Sequence, residues 1–236
     1  MTDYKNIHGK KIKFLTSDLS TAEAEGQLFW SDSAAEFKVA VATAVWSSSA
    51  SMLTARYGAA GGIQTAAFIA GGYTTAETNV TEEYDGTGFS VGGNINTART
   101  QMGGLGTQTA GLIAGGFDPP SVGVTEEYNG SAWTESGDLN VERRTAHGTA
   151  GTQTAGLFFG GYRDITPTPN GAMNSSESYN GSAWTAEPAL NSACWGGAGD
   201  GTATAALSVG GPPVQTEVYD GSSWTTDVNI NTARLY

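Results

Sequence analysis

The sequence predicts an all-β fold assembled from a tandem repeat, and three observations carry that prediction. The first is composition: 236 residues hold 34 Gly and only 14% charged residues, with many Thr, Ser and Ala and no long run of helix formers, which suits short strands and tight turns. The second is an apolar run closed by a double glycine, found four times, at residues 66–72, 110–116, 155–161 and 205–211. The third is a strand-like segment ending in tyrosine and a turn dipeptide, also found four times and spaced 44, 51 and 40 residues from tyrosine to tyrosine. A recurring spacing of this size marks a repeat architecture.

Each element follows from its own chemistry. The apolar run reads as a buried strand that the two glycines terminate, and Tyr73, Phe117 and Tyr162 follow the first three copies. The tyrosines stand before Asp85-Gly86, Asn129-Gly130, Asn180-Gly181 and Asp220-Gly221, dipeptides that accept positive φ and so favour tight hairpins. Five residues after each tyrosine comes a second ring, Phe89, Trp133, Trp184 or Trp224, so each hairpin is anchored by aromatics on both sides. Ten residues after the aromatic comes an arginine in the pairs Trp46/Arg56, Phe89/Arg99, Trp133/Arg143 and Trp224/Arg234, while the copy after Trp184 has Cys194 there. An apolar residue precedes that position by four: Met52, Ile95, Leu139, Leu190 and Ile230. Lengths vary between the double glycine and the tyrosine strand, as expected of surface loops.

The apolar strand ending in Gly-Gly, the Glu-Tyr-Asp-Gly-like strand, the Trp-Thr and the following arginine together resemble the kelch repeat over about residues 45–236. The resemblance implies a kelch-like β-propeller, each blade a four-stranded antiparallel sheet around a central channel. Strand a would follow each arginine, b would precede Gly-Gly, c would end at the tyrosine, and d would lie on the tryptophan. The expected repeats are about 54–93, 100–136, 144–187 and 195–226. Because the linker pattern occurs five times, the expectation is five blades, with four as the alternative. The further blade would come from 26–48 plus 232–236, so that N- and C-terminal strands close the ring and hide its edges.

Charge divides the chain at its start. All five lysines lie in the first 38 residues, residues 1–16 carry four of them against Asp3 alone, and residues 39–236 hold six Arg against seventeen Asp plus Glu. An acidic body excludes nucleic acid as a partner of the repeats. Residues 1–25 do not match the repeat and read as an extended N-terminal docking arm, with the propeller expected over 26–236. The arm's Lys-Ile-Lys-Phe strand, the Glu25-Gly26-Gln27-Leu28-Phe29-Trp30 strand and the following Glu36-Phe37-Lys38-Val39 look like the N-terminal segments of structural proteins from tailed phages of marine bacteria. That resemblance implies a virion structural protein, a tail, tail-fibre or capsid-decoration component present in multiple copies. Lys10, Lys11, Lys13 and Phe14 would dock it to other virion proteins, and the propeller would face outward for host-surface attachment. The alternative is a stand-alone glycan-binding propeller. The N-terminus has no apolar stretch of the signal-peptide kind and no segment approaches the length of a membrane span, so the expected site of synthesis is the host cytoplasm and membrane insertion is not expected.

Chemistry of the enzymatic kind is not expected. The copper oxidases of the kelch superfamily need paired histidines, whereas His8 stands in the arm and His147 at the start of a blade. No nucleophile elbow, phosphate loop or His-Glu-x-x-His is present, Cys194 is the only cysteine, and no cofactor or metal is expected. Glu82-Glu83 and Glu126-Glu127 are read as solvent-exposed, with calcium binding the less favoured reading. The recurring arginines are expected to hydrogen-bond carbonyls between blades, against the alternative of a guanidinium ring lining the channel. Binding is expected on the variable loop between strands b and c, the longest of which runs over 162–175 and offers Tyr162, Arg163, Asp164 and Asn170.

Overall fold

Asx-Gly turns and double glycines cut the chain into strands of two to eight residues, each too short to bury a face alone, so stability must come from stacking one small sheet on the next. The computed structural model describes residues 14–15, 28–31, 36–39, 48–144, 148–164, 171–212 and 214–230. Among these residues every regular element is a strand. Two compact units are present, Met1–Ser48 and Ser49–Tyr236.

In the first unit, β1 (Phe14–Leu15), β2 (Leu28–Ser31) and β3 (Glu36–Val39) form one sheet in that order. β1 runs parallel to β2, and β2 antiparallel to β3. The second unit holds four four-stranded antiparallel sheets, the blades of a β-propeller. Blade 1 comprises β4 (Tyr57–Ile63), β5 (Ala66–Tyr73), β6 (Thr81–Tyr84) and β7 (Phe89–Val91). Blade 2 comprises β8 (Gly103–Thr107), β9 (Ala110–Ala114), β10 (Thr125–Tyr128) and β11 (Trp133–Glu135). Blade 3 has β12 (Gly148–Thr152) and β13 (Ala155–Phe159), then a small loop hairpin of β14 (Tyr162–Arg163) and β15 (Gly171–Ala172), then β16 (Ser176–Tyr179) and β17 (Trp184–Glu187). Blade 4 comprises β18 (Ala198–Thr202), β19 (Ala205–Gly210), β20 (Gln215–Tyr219) and β21 (Trp224–Thr226). Strands a, b, c and d thus fall where the repeat places them.

The expectation of five blades is corrected to four. Leu28–Ser31 and Glu36–Val39 pair with Phe14–Leu15 and with each other rather than with any blade strand. Residues 232–236, the expected closing strand, lie outside the described residues.

The core lies between blades rather than within them. Because side chains alternate across a strand, each blade has one face toward the next blade and one toward the previous blade. Phe68 and Ala70 of blade 1 meet Ile113, Tyr128 and Trp133 of blade 2. Leu105, Leu112 and Ala114 meet Phe158, Tyr179 and Trp184, and Ala150, Leu157 and Phe159 meet Ala206, Tyr219 and Trp224. Polar bonds cross the same junctions. The Trp133 and Trp184 indoles donate to Thr81 Oγ1 and Thr125 Oγ1, both at 2.9 Å. The Tyr128 hydroxyl donates to Glu83, Tyr179 to Glu127 at 2.5 Å, and Tyr219 to Glu187 at 3.1 Å. In each hairpin the tyrosine and the following aromatic pack together, with ring centroids 4.7–5.0 Å apart in the described copies.

Two expectations about charged residues are corrected by this packing. Glu82 and Glu126 are fully buried, not solvent-exposed, because the linker entering each blade folds over them. Glu82 accepts from the amides of Leu53 and Thr54 and pairs with Arg56; Glu126 accepts from Asn96 and pairs with Arg99. Glu177 does the same with Asn140 and Arg143. Glu83 and Glu127, on the opposite strand face, are half-buried or buried short of full exposure by their tyrosine partners. The arginines do bond carbonyls, but inside the blade they lead into: Arg99 donates to Gly115 O and Val124 O, and Arg143 to Gly160 O and Ser175 O. They do not line the channel. Arg234 lies outside the described residues.

Candidate loop-end binding site

At one end of blades 1 to 3, the residue after the linker arginine meets the residue after the double glycine. Backbone bridges join Thr100 to Phe117 and Arg144 to Tyr162 there, and the rings of Tyr57 and Tyr73 stack at 5.8 Å. Gly71-Gly72, Gly115-Gly116 and Gly160-Gly161 all take positive φ, which turns the chain out of strand b toward this end. At Gly72 a Cβ would fall 1.9 Å from Tyr57 O, so the close approach admits no side chain.

Arg144 is the centre of the cluster. Neighbouring Arg143 turns into blade 3, whereas Arg144, on an isolated bridge to Tyr162, turns to the loop end. Its guanidinium lies over the rings of Phe117 and Tyr162, 5.0 and 4.9 Å from their centroids, a cation–π sandwich. Its edges are also fixed: Nη1 donates to Gln101 Oε1 at 2.8 Å, Nη2 donates to Asp164 Oδ1 at 3.1 Å, and Nε is ion-paired with the same carboxylate. Asp164 is anchored in turn, its amide donating to Ser121 Oγ at 3.2 Å. Trp195 stands edge-on to Tyr162 at 5.9 Å. Gln101 has φ +57°, a left-handed conformation that costs a non-glycine residue energy and is held by its surroundings. Gln101, Phe117, Arg144, Tyr162, Asp164 and Trp195 stay partly accessible, while Ser121 is buried.

Of the expected site residues, the structure brings Tyr162 and Asp164 together around Arg144. Arg163 points elsewhere and donates to Glu142 at 3.1 Å, both side chains being more than a third exposed. Asn170 lies outside the described residues, as do Lys10, Lys11, Lys13, His8 and His147, and of Phe14 only the strand is described. Sequence reasoning missed Arg144, Gln101 and Trp195. The available signal was the doubled arginine at 143–144 and a tryptophan, Trp195, off the repeat's own aromatic positions.

A second concavity, about 430 Å3, lies among the innermost strands and is lined by residues that include Ala60, Gly62, Gly104, Leu105, Thr149 and Asp200. Glycine and alanine leave it room but little chemistry, and the Thr149 hydroxyl donates to Gly104 O at 2.8 Å. Among the described residues no cluster of His, Cys, Asp and Glu could hold a metal ion, and no helix is long and apolar enough to cross a membrane. Cys194 is buried; burial first, then the Glu217 charge, pushes its thiol up to about 12, far from the reactive thiolate.

No protein-family model matches the chain, and no curated protein matches it.

Proposed function

We propose that this chain is a virion structural protein of a tailed phage, a tail, tail-fibre or decoration component whose kelch-like propeller turns its loop end to the host surface. The observation that carries the reading is the loop-end cluster: Arg144 sandwiched between Phe117 and Tyr162, with Trp195 beside them, on loops held by a rigid repeat scaffold. A surface fixed before contact loses little conformational freedom on binding, and arginine with aromatics is the composition of interface hot spots. The basic residues 1–25 ahead of an acidic body support an arm that docks to other virion proteins through Lys10, Lys11, Lys13 and Phe14, in multiple copies per particle.

The test uses particles carrying chain variants. Removing residues 1–25 is expected to abolish incorporation while the isolated protein keeps its far-ultraviolet spectrum and melting point. Replacing Tyr162 and Trp195 by Ala is expected to leave incorporation intact and to lower adsorption to host cells at least tenfold. Normal incorporation of the truncated chain would sink the docking role; unchanged adsorption would sink the attachment role. The Tyr162–Trp195 corner beside Asp164 also favours a second reading, a stand-alone glycan-binding propeller, since such rings can stack on sugar faces. That reading predicts millimolar-range sugar binding by the isolated chain, lost in the same double variant.

A further inference from the structure

The aromatic side chains of the blades turn their polar tips into the protein. The hydroxyls of Tyr84, Tyr128, Tyr179 and Tyr219 and the indoles of Trp133 and Trp184 are hydrogen-bonded within the chain, and Trp224 Nε1 is buried. Tyr162 and Trp195 at the loop end differ. Both stay partly accessible, and among the described residues neither the Tyr162 hydroxyl nor the Trp195 indole N–H has a hydrogen-bond partner. A ring with an apolar face and an open polar edge suits a ligand that has both characters.

The same band offers no free charge. Arg144 gives its two faces to Phe117 and Tyr162, Nη1 to Gln101, and Nε and Nη2 to Asp164. Asp164 is saturated in turn, since both of its oxygens face Arg144 and Oδ2 also accepts from the Ser121 hydroxyl at 3.4 Å. An anionic ligand would meet a guanidinium already neutralised, on a chain whose formal net charge of -12 repels it. A cationic ligand would have to draw Asp164 away and leave the guanidinium unpaired. Phe117, Arg144, Tyr162 and Trp195 stand in single file, in successive contact at 5.0, 4.9 and 5.9 Å. Phe117 and Tyr162 each have one face covered by Arg144, whereas Trp195 meets Tyr162 at 72° and no described group stacks flat on it. Such a file suits a chain-like ligand better than a protein, whose stable footprint is roughly 800 Å2 a side.

We infer that the loop end takes an uncharged saccharide chain, with one sugar ring lying on the Trp195 face and the next sugars running along Tyr162 and the edge of Arg144 toward Phe117. This rests on the reading of the loop end as the contact surface and names the chemistry that it contacts. A sugar ring meets both demands of the site: its C–H face packs on the indole, and hydroxyls of the same or the next sugar bond to the Tyr162 hydroxyl and the Trp195 N–H. Arg144 and Asp164 are already ordered by each other, so they lose little freedom on binding. With no unpaired charge at the contact, the affinity does not depend on salt.

Calorimetric titration of the full chain tests this, with uncharged glucose, galactose and mannose oligomers from mono- to tetrasaccharide set against oligomers that carry uronic or sialic acid. Uncharged oligomers are expected to bind at millimolar concentration or below, more tightly as the chain lengthens, and equally at low and high salt. Trp195→Ala is expected to weaken binding roughly tenfold or more at an unchanged melting point. Tyr162→Phe keeps the ring over Arg144 and removes only the hydroxyl, and is expected to weaken binding about threefold to tenfold. No uncharged oligomer bound at millimolar concentration, a preference for acidic oligomers, salt-sensitive binding, or an affinity indifferent to both substitutions overturns the inference. Adsorption to host cells that falls in the Tyr162→Ala, Trp195→Ala variant while no uncharged oligomer binds also overturns it, and leaves the attachment reading standing with a protein as receptor. Sugar binding lost in that variant with adsorption unchanged supports the inference and sinks the attachment reading instead.

Discussion

At the scale of single residues, the device that fixes each blade is a buried carboxylate under its incoming linker. Glu126 is fully buried and receives the Asn96 amide and side chain and the Arg99 guanidinium, itself fully buried. For Glu82, burial alone would raise the carboxyl pKa, but the Arg56 hydrogen bond, the Leu53 amide and the Arg56 charge outweigh it and the net shift is downward. A depressed folded value means that this group's stabilisation is present above the unfolded carboxylate pKa and is lost as pH falls through the folded value. Arg143 shows the reverse cost, since burial lowers its pKa and Glu177 only partly restores it. Removing one partner leaves an uncompensated buried charge. Glu126→Gln is therefore expected to destabilise the protein by about 3–5 kcal/mol, read as a lower denaturant midpoint; a change below ~1 kcal/mol would mean that the linker amides suffice. Blade 4 supplies a natural comparison, because Cys194 stands at the arginine position and the linker holds Glu217 through Asn191 and the Ser192 amide.

At the scale of the element, the c–d hairpin is specified by two residues. Asp85, Asn129, Asn180 and Asp220 each turn Oδ1 back to accept the amides two and three residues on, at 2.8–3.0 Å, an Asx turn. Charge is not required, since two of the four are asparagine, although hydrogen bonds from Thr87 and Gly88 lower Asp85 to about 2. The following glycines have φ of +90° to +94°. At Gly130 a Cβ would meet Thr109 at 3.4 Å, so space is adequate and the backbone angle decides. Gly130→Ala is expected to cost about 1–2 kcal/mol through the left-handed conformation, measured by equilibrium unfolding. A neutral result would show that the hairpin can relax to another turn.

At the scale of the whole molecule, stability accumulates junction by junction, as in other repeat architectures. Three tyrosines report on all three junctions. Burial first, then the facing glutamate, raises Tyr128, Tyr179 and Tyr219 each to about 12. A raised folded value stabilises the fold fully below the unfolded tyrosine pKa of about 10. That contribution is lost as pH rises from about 10 through 12. The denaturant midpoint is accordingly expected to hold steady to pH 9 and to fall between pH 10 and 12, with tyrosinate absorbance appearing at the same pH as unfolding. Ionisation of these tyrosines at pH 10 in a still-folded chain would contradict the junction bonds.

Local chemistry written in the residues determined much of this protein. Double glycines, Asx-Gly turns and paired aromatics act within a few positions of themselves, so strand order, hairpin placement and the repeat were legible, and the aromatic pairs pack as their spacing implies. The apolar residue four before the arginine was legible too, and Ile95, Leu139 and Leu190 are buried plugs. Tertiary structure decided what depends on how one blade faces another. Adjacent Glu82 and Glu83 look alike in sequence, yet alternation puts one under a linker and the other against the next blade's tyrosine. Adjacent Arg143 and Arg144 divide likewise, one into the blade and one into the loop-end cluster. Blade number belongs to the same class: the linker pattern repeats five times in sequence, but a blade exists only where four strands hydrogen-bond, and the described residues supply that pairing four times.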